Sequence, residues 1–318
     1  MSLRGHAAAT HAGRKRRRNE DAYVQRPPLF AVADGMGGAQ AGEVASRLAA
    51  AVVEDDASSG APEERVVALI EEANRRVFQR AYEDAAASGM GTTMTIALVD
   101  EDRVTIGHVG DSRAYRLRDS QLEQLTEDHS LVAELVRSGK LAPEEADSHP
   151  QRNVITRVLG SDPDVDVDVF TTEAEAGDVF LLCSDGLTTM VGEQRIVEIF
   201  AAHAGDLDSA ARALVNDANR GGGEDNITVV CFEMGGSAAV EETQPIELDP
   251  PTAEQVLDED DTLSGLDGTP AIEVVEPPAA ADQDAVASRA GPSWFALAVL
   301  VLVVGAIVVG VLLLLGVP

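Results

Sequence analysis

Four aspartates stand at the ends of short apolar runs: LFAVAD-G at Asp34, VTIGHVG-D at Asp111, VFLLCSD-G at Asp185 and ED-NITVV at Asp225. Carboxylates held at the ends of buried strands can converge in space. Hard divalent cations such as magnesium and manganese take oxygen ligands and keep several waters, so a few carboxylates and a backbone carbonyl suffice to hold them. Asp34, the carbonyl of Gly35, Asp185 and Asp225 can supply such a set. One Asp-Gly pair alone is ordinarily a turn; four acidic strand ends together point to a metal centre. The six histidines are scattered, with no His/Cys spacing of the zinc type.

Ahead of these runs, GRKRRRNEDAY sets five consecutive cations, Arg14 to Arg18, before Asn19, Glu20 and Asp21. From charge alone this is a solvated basic turn. The adjacent Asn-Glu-Asp favours a site, because a guanidinium fork binds phosphate oxygens bidentately and Arg16 would then hold a phosphoryl group beside the metals. Two ions about 3.5–4 Å apart would lower the pKa of a shared water and align it with phosphorus, hydrolysing a phosphate monoester without a covalent intermediate.

The elements that must carry these residues read as segregated strands and helices. TTMTIALVD and RVTIGHVGD form a hairpin turning at Glu101 and Asp102, and AYRLRDSQLEQLT forms another at Asp119 and Ser120. Helical periodicity runs through GEVASRLAAAVVEDDA, EERVVALIEEANRRVFQRAYEDAAA, SLVAELVRSG and the stretch from Glu193 through Asn219. DVDVDVF at Asp164 to Phe170 reads as an exposed alternating strand. This pattern predicts an α+β sandwich rather than a doubly wound parallel sheet. Cys183 and Cys231 lie inside apolar strands, as small buried hydrophobes rather than a disulfide or a nucleophile.

Composition divides the chain at about Met234. Residues 1–234 have globular composition, while 235–292 hold fourteen acidic residues against Arg289 alone, with many Pro and Ala, and read as a disordered linker. Within 293–318, the run from Trp294 to Val317 carries no charge and is long enough for one transmembrane helix. The N-terminus lacks a signal-type apolar stretch. The expectation is a single-pass protein of the cell membrane with its folded domain in the cytoplasm, the acidic linker holding it off the headgroups. A net charge of −31 excludes nucleic acid as a partner.

The segments GRKRRRNED, FAVADGMGGAQAGEVAS, GMGTTMT, VGDSRAYRL, TEDHS, SHPQRNVITRVLG, FLLCSDGL and RGGGEDNITVV resemble, in order and spacing, the metal-dependent serine/threonine protein phosphatases of type 2C, in their bacterial branch. The resemblance implies a central sandwich of two antiparallel sheets flanked by helix pairs, with two Mn2+ or Mg2+ ions at one end and a third, weaker ion. It implies that Asp34 bridges both ions, that the Gly35 carbonyl binds one, and that Asp185 and Asp225 complete the other. Asp21 and Glu20 would hold metal-bound waters, Arg16 the phosphate, and Asp111 would share the third ion with Asp185. Ser138 to Arg152, with His149, would form the flap beside the substrate groove. Met36 stands where many eukaryotic relatives have a histidine taken as general acid; His129 and His149 are its possible substitutes, each better read as structural. The partners implied are phosphoproteins, including a membrane Ser/Thr kinase and its substrates, met by a monomer. The competing reading is a catalytically silent, membrane-tethered module that binds phosphoproteins.

Overall fold

The computed structural model describes residues 3–37, 41–146 and 149–236. The linker beyond Gly236 and the apolar C-terminal span lie outside the described residues. Among the described residues, no helix is long and apolar enough to cross a membrane.

Two antiparallel sheets form the centre. One orders β1 (Leu3–His11), β11 (Ile227–Met234), β10 (Val179–Cys183), β7 (Arg113–Arg118) and β8 (Gln121–Gln124). The other orders β2 (Asp21–Arg26), β3 (Leu29–Met36), β5 (Met94–Asp100), β6 (Arg103–Val109) and β9 (Asp168–Glu173), with the short β4 (Gly91–Thr92) paired to the end of β3. The central strands read as continuous apolar runs because both faces are covered. With a side-chain period of two, Phe30 and Val32 of β3 meet Phe180, Leu182, Val230 and Phe232 of the opposite sheet, while Leu29, Ala31 and Ala33 face away. Phe232 stacks on Phe30 and Phe180 at centroid distances of 4.4 and 5.1 Å.

The outward faces are covered by helices. Helices α1 (Ala41–Glu54) and α2 (Pro62–Glu83) bury Ala45, Ala49, Val66 and Ile70 against the β3 sheet. The other sheet is covered by α6 (Glu193–Ala202) and α7 (Leu207–Gly221), which bury Ile196, Phe200, Leu214 and Ala218. This is the expected α+β sandwich flanked by helix pairs.

Both expected hairpins occur. Asp119 and Ser120 take positive φ of 50° and 63°, the two-residue turn whose twist matches the strands, and Glu101 takes φ 53°. Three local expectations differ. The helix expected from Glu193 through Asn219 is two, because Gly205 at φ 82° breaks it and the Asp206 carboxylate accepts from the Ser209 amide at 3.0 Å to cap the next. The strand expected from Asp164 begins only at Asp168. Strand β1 was not expected from its Ala-rich sequence; its pairing with β11 through Ile227–Met234 makes it.

Candidate active site

The acidic strand ends meet at one end of the sandwich. Asp21, first in β2, lies directly opposite Asp34 near the end of β3. Like charges at facing positions of an antiparallel pair repel, a repulsion that a cation between them, or a proton on one of them, would relieve. The Asp34 backbone is fixed by its amide donating to Thr93 Oγ1 at 3.0 Å and its carbonyl accepting from the Thr93 amide at 2.9 Å and the Thr92 hydroxyl at 2.8 Å. Thr93 Oγ1 also pairs with Ser112 Oγ at 2.8 Å, tying this strand end to the turn that carries Asp111. At Gly35 a Cβ would lie 2.1 Å from the Gly42 carbonyl oxygen and 2.5 Å from that of Glu20, so only glycine lets these segments touch.

Asp185 opens the short helix α5 (Asp185–Thr188) just beyond β10. At Gly186 a Cβ would come 1.9 Å from the Asn226 carbonyl oxygen, which is how the Asp185 and Asp225 segments pack together. Asp225 precedes β11. Its neighbour Asn226 is buried: the side-chain oxygen accepts from the Glu20 amide at 2.7 Å, and the amide group donates to the carbonyls of Ala12 and Arg18 at 3.0 and 2.8 Å. One side chain thereby shapes the loop that bears Arg16. The Arg16 guanidinium donates to Asp225 Oδ2 at 2.7 Å.

The electrostatics of this cluster are unfavourable as it stands. Burial first, then the charges of Asp21, Asp185, Asp111 and Asp225, hold Asp34 well above the usual carboxylate range. Burial likewise pushes Asp21 up to about 7 despite hydrogen bonds from Thr228 and Ser184, Asp111 up to about 7, and Asp185 up to about 6. Asp21 Oδ2 accepts from Ser184 Oγ at 2.9 Å, yet Asp21 Oδ1 and Asp185 Oδ1 are buried with no hydrogen-bond partner. Orphaned anionic oxygens of this kind are costly and are what a hard cation would satisfy. Among the described residues no three carboxylate, imidazole or thiol groups enclose one ion by themselves, so a shell here needs a carbonyl such as that of Gly35 and water. Magnesium and manganese accept both. The donor set fits them.

All the acidic residues singled out in the sequence, Glu20, Asp21, Asp34, Asp111, Asp185 and Asp225, therefore border this one end or the loops that close it. Met36 is 40% exposed at the rim. His129 is buried elsewhere: its Nδ1 accepts from the Gly110 amide at 3.0 Å, and its Nε2 faces Asp168 Oδ2 at 3.2 Å. His149 Nδ1 accepts from the Gln151 amide at 3.2 Å, a local turn. Both histidines are structural. From the carboxylates a cavity of about 980 Å³ runs beneath α3 (Leu131–Arg137) and α4 (Pro143–Ala146), lined by Asp111, Asp185, Val132, Val136, Arg152 and Glu193.

Sequence reasoning missed several supports of the site. Thr92, Thr93 and Ser112 clamp strand ends through contacts distant in sequence, and Ser184 bridges Asp21 to the Thr228 amide, from which its Oγ accepts at 3.0 Å. Arg113 forks onto Asp128 at 2.9 and 2.7 Å and donates to Tyr115 OH at 3.1 Å. The tripeptide Asp-Ser-Arg after the β6 run was the available signal for two of these.

Residues 10–216 match the family described as protein phosphatase 2C. The chain is 40% identical over 236 residues to the serine/threonine phosphatase stp of Listeria innocua, which covers 70% of this chain and 93% of that one. The crystal structure of the Mycobacterium tuberculosis serine/threonine phosphatase PstP/Ppp superposes with a TM-score of 0.69 at 40% identity, over 73% of this chain and 99% of that one. The catalytic domain of serine/threonine protein phosphatase PstP in complex with two manganese ions gives 0.67 at 37% identity, over 73% and 98%.

Proposed function

This chain belongs to the protein phosphatase 2C family, and on that premise we propose that it hydrolyses phosphoserine and phosphothreonine on proteins at a centre of two manganese or magnesium ions. The observation that carries the reading is the pair of buried, unpartnered oxygens on Asp21 and Asp185 within a cluster of mutually repelling carboxylates. When bound, the two ions supply a water of lowered pKa and neutralise charge on the phosphoryl oxygens.

The chain's own residues divide the remaining work. Asp34, the Gly35 carbonyl, Asp185 and Asp225 would hold the two ions; Asp21 and Glu20 would orient waters, and Asp111 with Asp185 would hold a third, weaker ion. Arg16, hydrogen-bonded to Asp225, presents its remaining N–H groups to the phosphoryl oxygens and fixes the phosphorus in line for attack. Met36 has no proton to give, and His129 is committed to Gly110 and Asp168. The leaving serine or threonine oxygen takes its proton from water.

Around this centre we place the rest of the chain as the composition reads: residues 235–292 an acidic linker, 293–318 a membrane anchor, the catalytic domain on the cytoplasmic side, and a membrane Ser/Thr kinase and its substrates among the phosphoproteins served. Phosphate release from a phosphothreonine peptide tests the function. Turnover should require manganese, stop with chelator, and fall about tenfold or more in Arg16→Ala through loss of a charged hydrogen bond. Folded, manganese-loaded protein that releases no phosphate would leave only a phosphoprotein-binding module. Recovery of the full chain in the soluble fraction of a cell lysate would remove the anchor.

A further inference from the structure

Asp111 sits on a turn that the fold grips from both sides. On its C-terminal side, Ser112 Oγ pairs with Thr93 Oγ1 at 2.8 Å, and the Ser112 carbonyl accepts from Thr95 Oγ1 at 3.1 Å. On its N-terminal side the grip is His129. The Gly110 amide donates to His129 Nδ1 at 3.0 Å, and the His129 amide donates to the Gly110 carbonyl at 2.7 Å. Gly110 takes φ 117°, and a Cβ there would lie 2.5 Å from Thr93 Cβ, so this peptide is packed as well as bonded.

The imidazole is itself held. Because Nδ1 accepts from an amide it carries no proton, and a neutral ring then bears its proton on Nε2. Nε2 donates to Asp168 Oδ2 at 3.2 Å, while Arg157 Nη1, 3.0 Å from Nε2, donates to Asp168 Oδ1 at 2.6 Å and fixes that carboxylate. His108 packs on the ring at a centroid distance of 4.8 Å. Burial keeps His129 below the usual histidine range against the pull of Asp168, so Nδ1 stays free to accept. The backbone beside it joins the two feet of the segment that roofs the cavity: the His129 carbonyl accepts from the Thr156 amide at 2.8 Å, and the Leu131 amide donates to the Val154 carbonyl at 2.9 Å. Strand β9, the turn of Asp111 and the feet of the α3–α4 segment thus meet at one residue.

We propose that His129 is a positioning residue for the weaker third ion: oriented by Asp168, it fixes the Gly110 peptide and so aims the Asp111 carboxylate at that ion. This role rests on Asp111 and Asp185 holding a third ion, not on turnover. His129 touches no reacting atom and moves no proton. A group that orients a metal ligand from outside the coordination shell commonly sets metal affinity about tenfold to a hundredfold, and His129, acting through a peptide rather than on the carboxylate itself, should set it about threefold to tenfold.

Two substitutions at His129 separate positioning from packing. Asn places its Oδ1 where Nδ1 stands and keeps an acceptor for Gly110, whereas Gln reaches toward Asp168 and leaves Gly110 without one. Manganese titration of the full chain, with free ion read by electron paramagnetic resonance, should resolve two tight ions and one weaker in the parent, and Asp111→Asn should lose the weaker one. His129→Gln should weaken that ion about threefold to tenfold and spare the tight pair, which serves as the folding control, while His129→Asn should hold it within about twofold. In the unsubstituted protein loaded with magnesium, nitrogen NMR of the ring should show a bare Nδ1 and a protonated Nε2. A weaker ion that ignores His129→Gln overturns the role, and so do equal losses from Gln and Asn, which would be packing alone. A protonated Nδ1 overturns it even where His129→Gln does not fold. A parent that binds two ions only, unaffected by Asp111→Asn, removes the third ion and this role together while leaving hydrolysis at the pair intact. The expected His129 response in a chain inactive toward every phosphopeptide keeps the role and rejects the phosphatase reading.

Discussion

Strand β10 carries an aspartate beyond each end, Asp178 buried and Asp185 half-buried, and the two are solved in opposite ways. Asp178, 2% exposed, accepts from Arg118 Nε at 2.7 Å and Nη2 at 2.5 Å, and from the Glu175 amide at 2.8 Å. Asp185, at the other end, has one oxygen with no partner and lies among the charges of Asp34, Asp111 and Asp225, with no guanidinium hydrogen-bonded to it. A buried carboxylate that the chain pairs itself is architecture. One left beside like charges is a place reserved for a cation from outside. The largest way to break this contrast is catalytic: Asp34→Asn should cost on the order of 10²–10³-fold in kcat, as loss of a central electrostatic group does, while Asp178→Asn should leave manganese-dependent turnover within about twofold. Equal losses from both would dissolve the distinction between the two ends.

Acidity offers the next contrast. Asp21, Asp111 and Asp185 have folded-state values raised to about 7, about 7 and about 6, above the roughly 3.9 of an unfolded chain. Between those values the folded state binds more protons than the unfolded one, so metal-free stability is greatest at low pH and declines as pH rises from about 4 through 7. In chelator the decline from pH 5 to 8 should reach about 3 kcal/mol, after discounting for shared charge and solvent, or roughly 6–12 °C in Tm for a domain of this size. Manganese, binding only the folded state, should flatten the curve. A chelated protein whose Tm rose over that range would contradict the assignment of mutual repulsion.

The same contrast explains what the sequence discloses. Aspartates closing continuously apolar runs are legible because a strand covered on both faces leaves only its ends for polar chemistry. The Asp119-Ser120 turn is legible for a local reason, its two-residue spacing. Strand β1 was not, since HAAATH has no strand preference of its own and becomes a strand only against β11. Nor were the supports: Asn226 reaches Ala12 and Arg18 across more than two hundred residues, and Thr93 meets Ser112 across nineteen. Such contacts are properties of topology and leave no periodicity in the chain. The split between α6 and α7 at Gly205 lies between these cases, with the glycine visible but weighed too lightly against continuous amphipathic spacing.

At the self-paired end, Arg118→Ala should lower stability by about 2 kcal/mol, less than the 3–5 typical of a fully buried broken pair because the arginine is partly exposed. Urea unfolding in manganese measures it, and a loss below about 0.5 kcal/mol would show that solvent already screens Asp178.

The smallest effect discriminates best, because its sign differs between the ends of one strand. Asn is nearly the shape of Asp, so substitution removes charge while changing little else. At Asp178 the lost charge weakens two hydrogen bonds from Arg118 and points an amide group at donors, so Asp178→Asn should destabilise the chelated protein at pH 8 by about 1 kcal/mol. At Asp185 the lost charge relieves a carboxylate crowded first by burial and then by Asp225. Asp185→Asn should therefore stabilise the chelated protein by about 1 kcal/mol, less than one pKa unit's worth, and should lose that gain once manganese stabilises only the unsubstituted site. Urea midpoints of the two variants in chelator, read against the parent, carry the decision. If both shift the same way, the two aspartates share one role and the strand's asymmetry is not electrostatic.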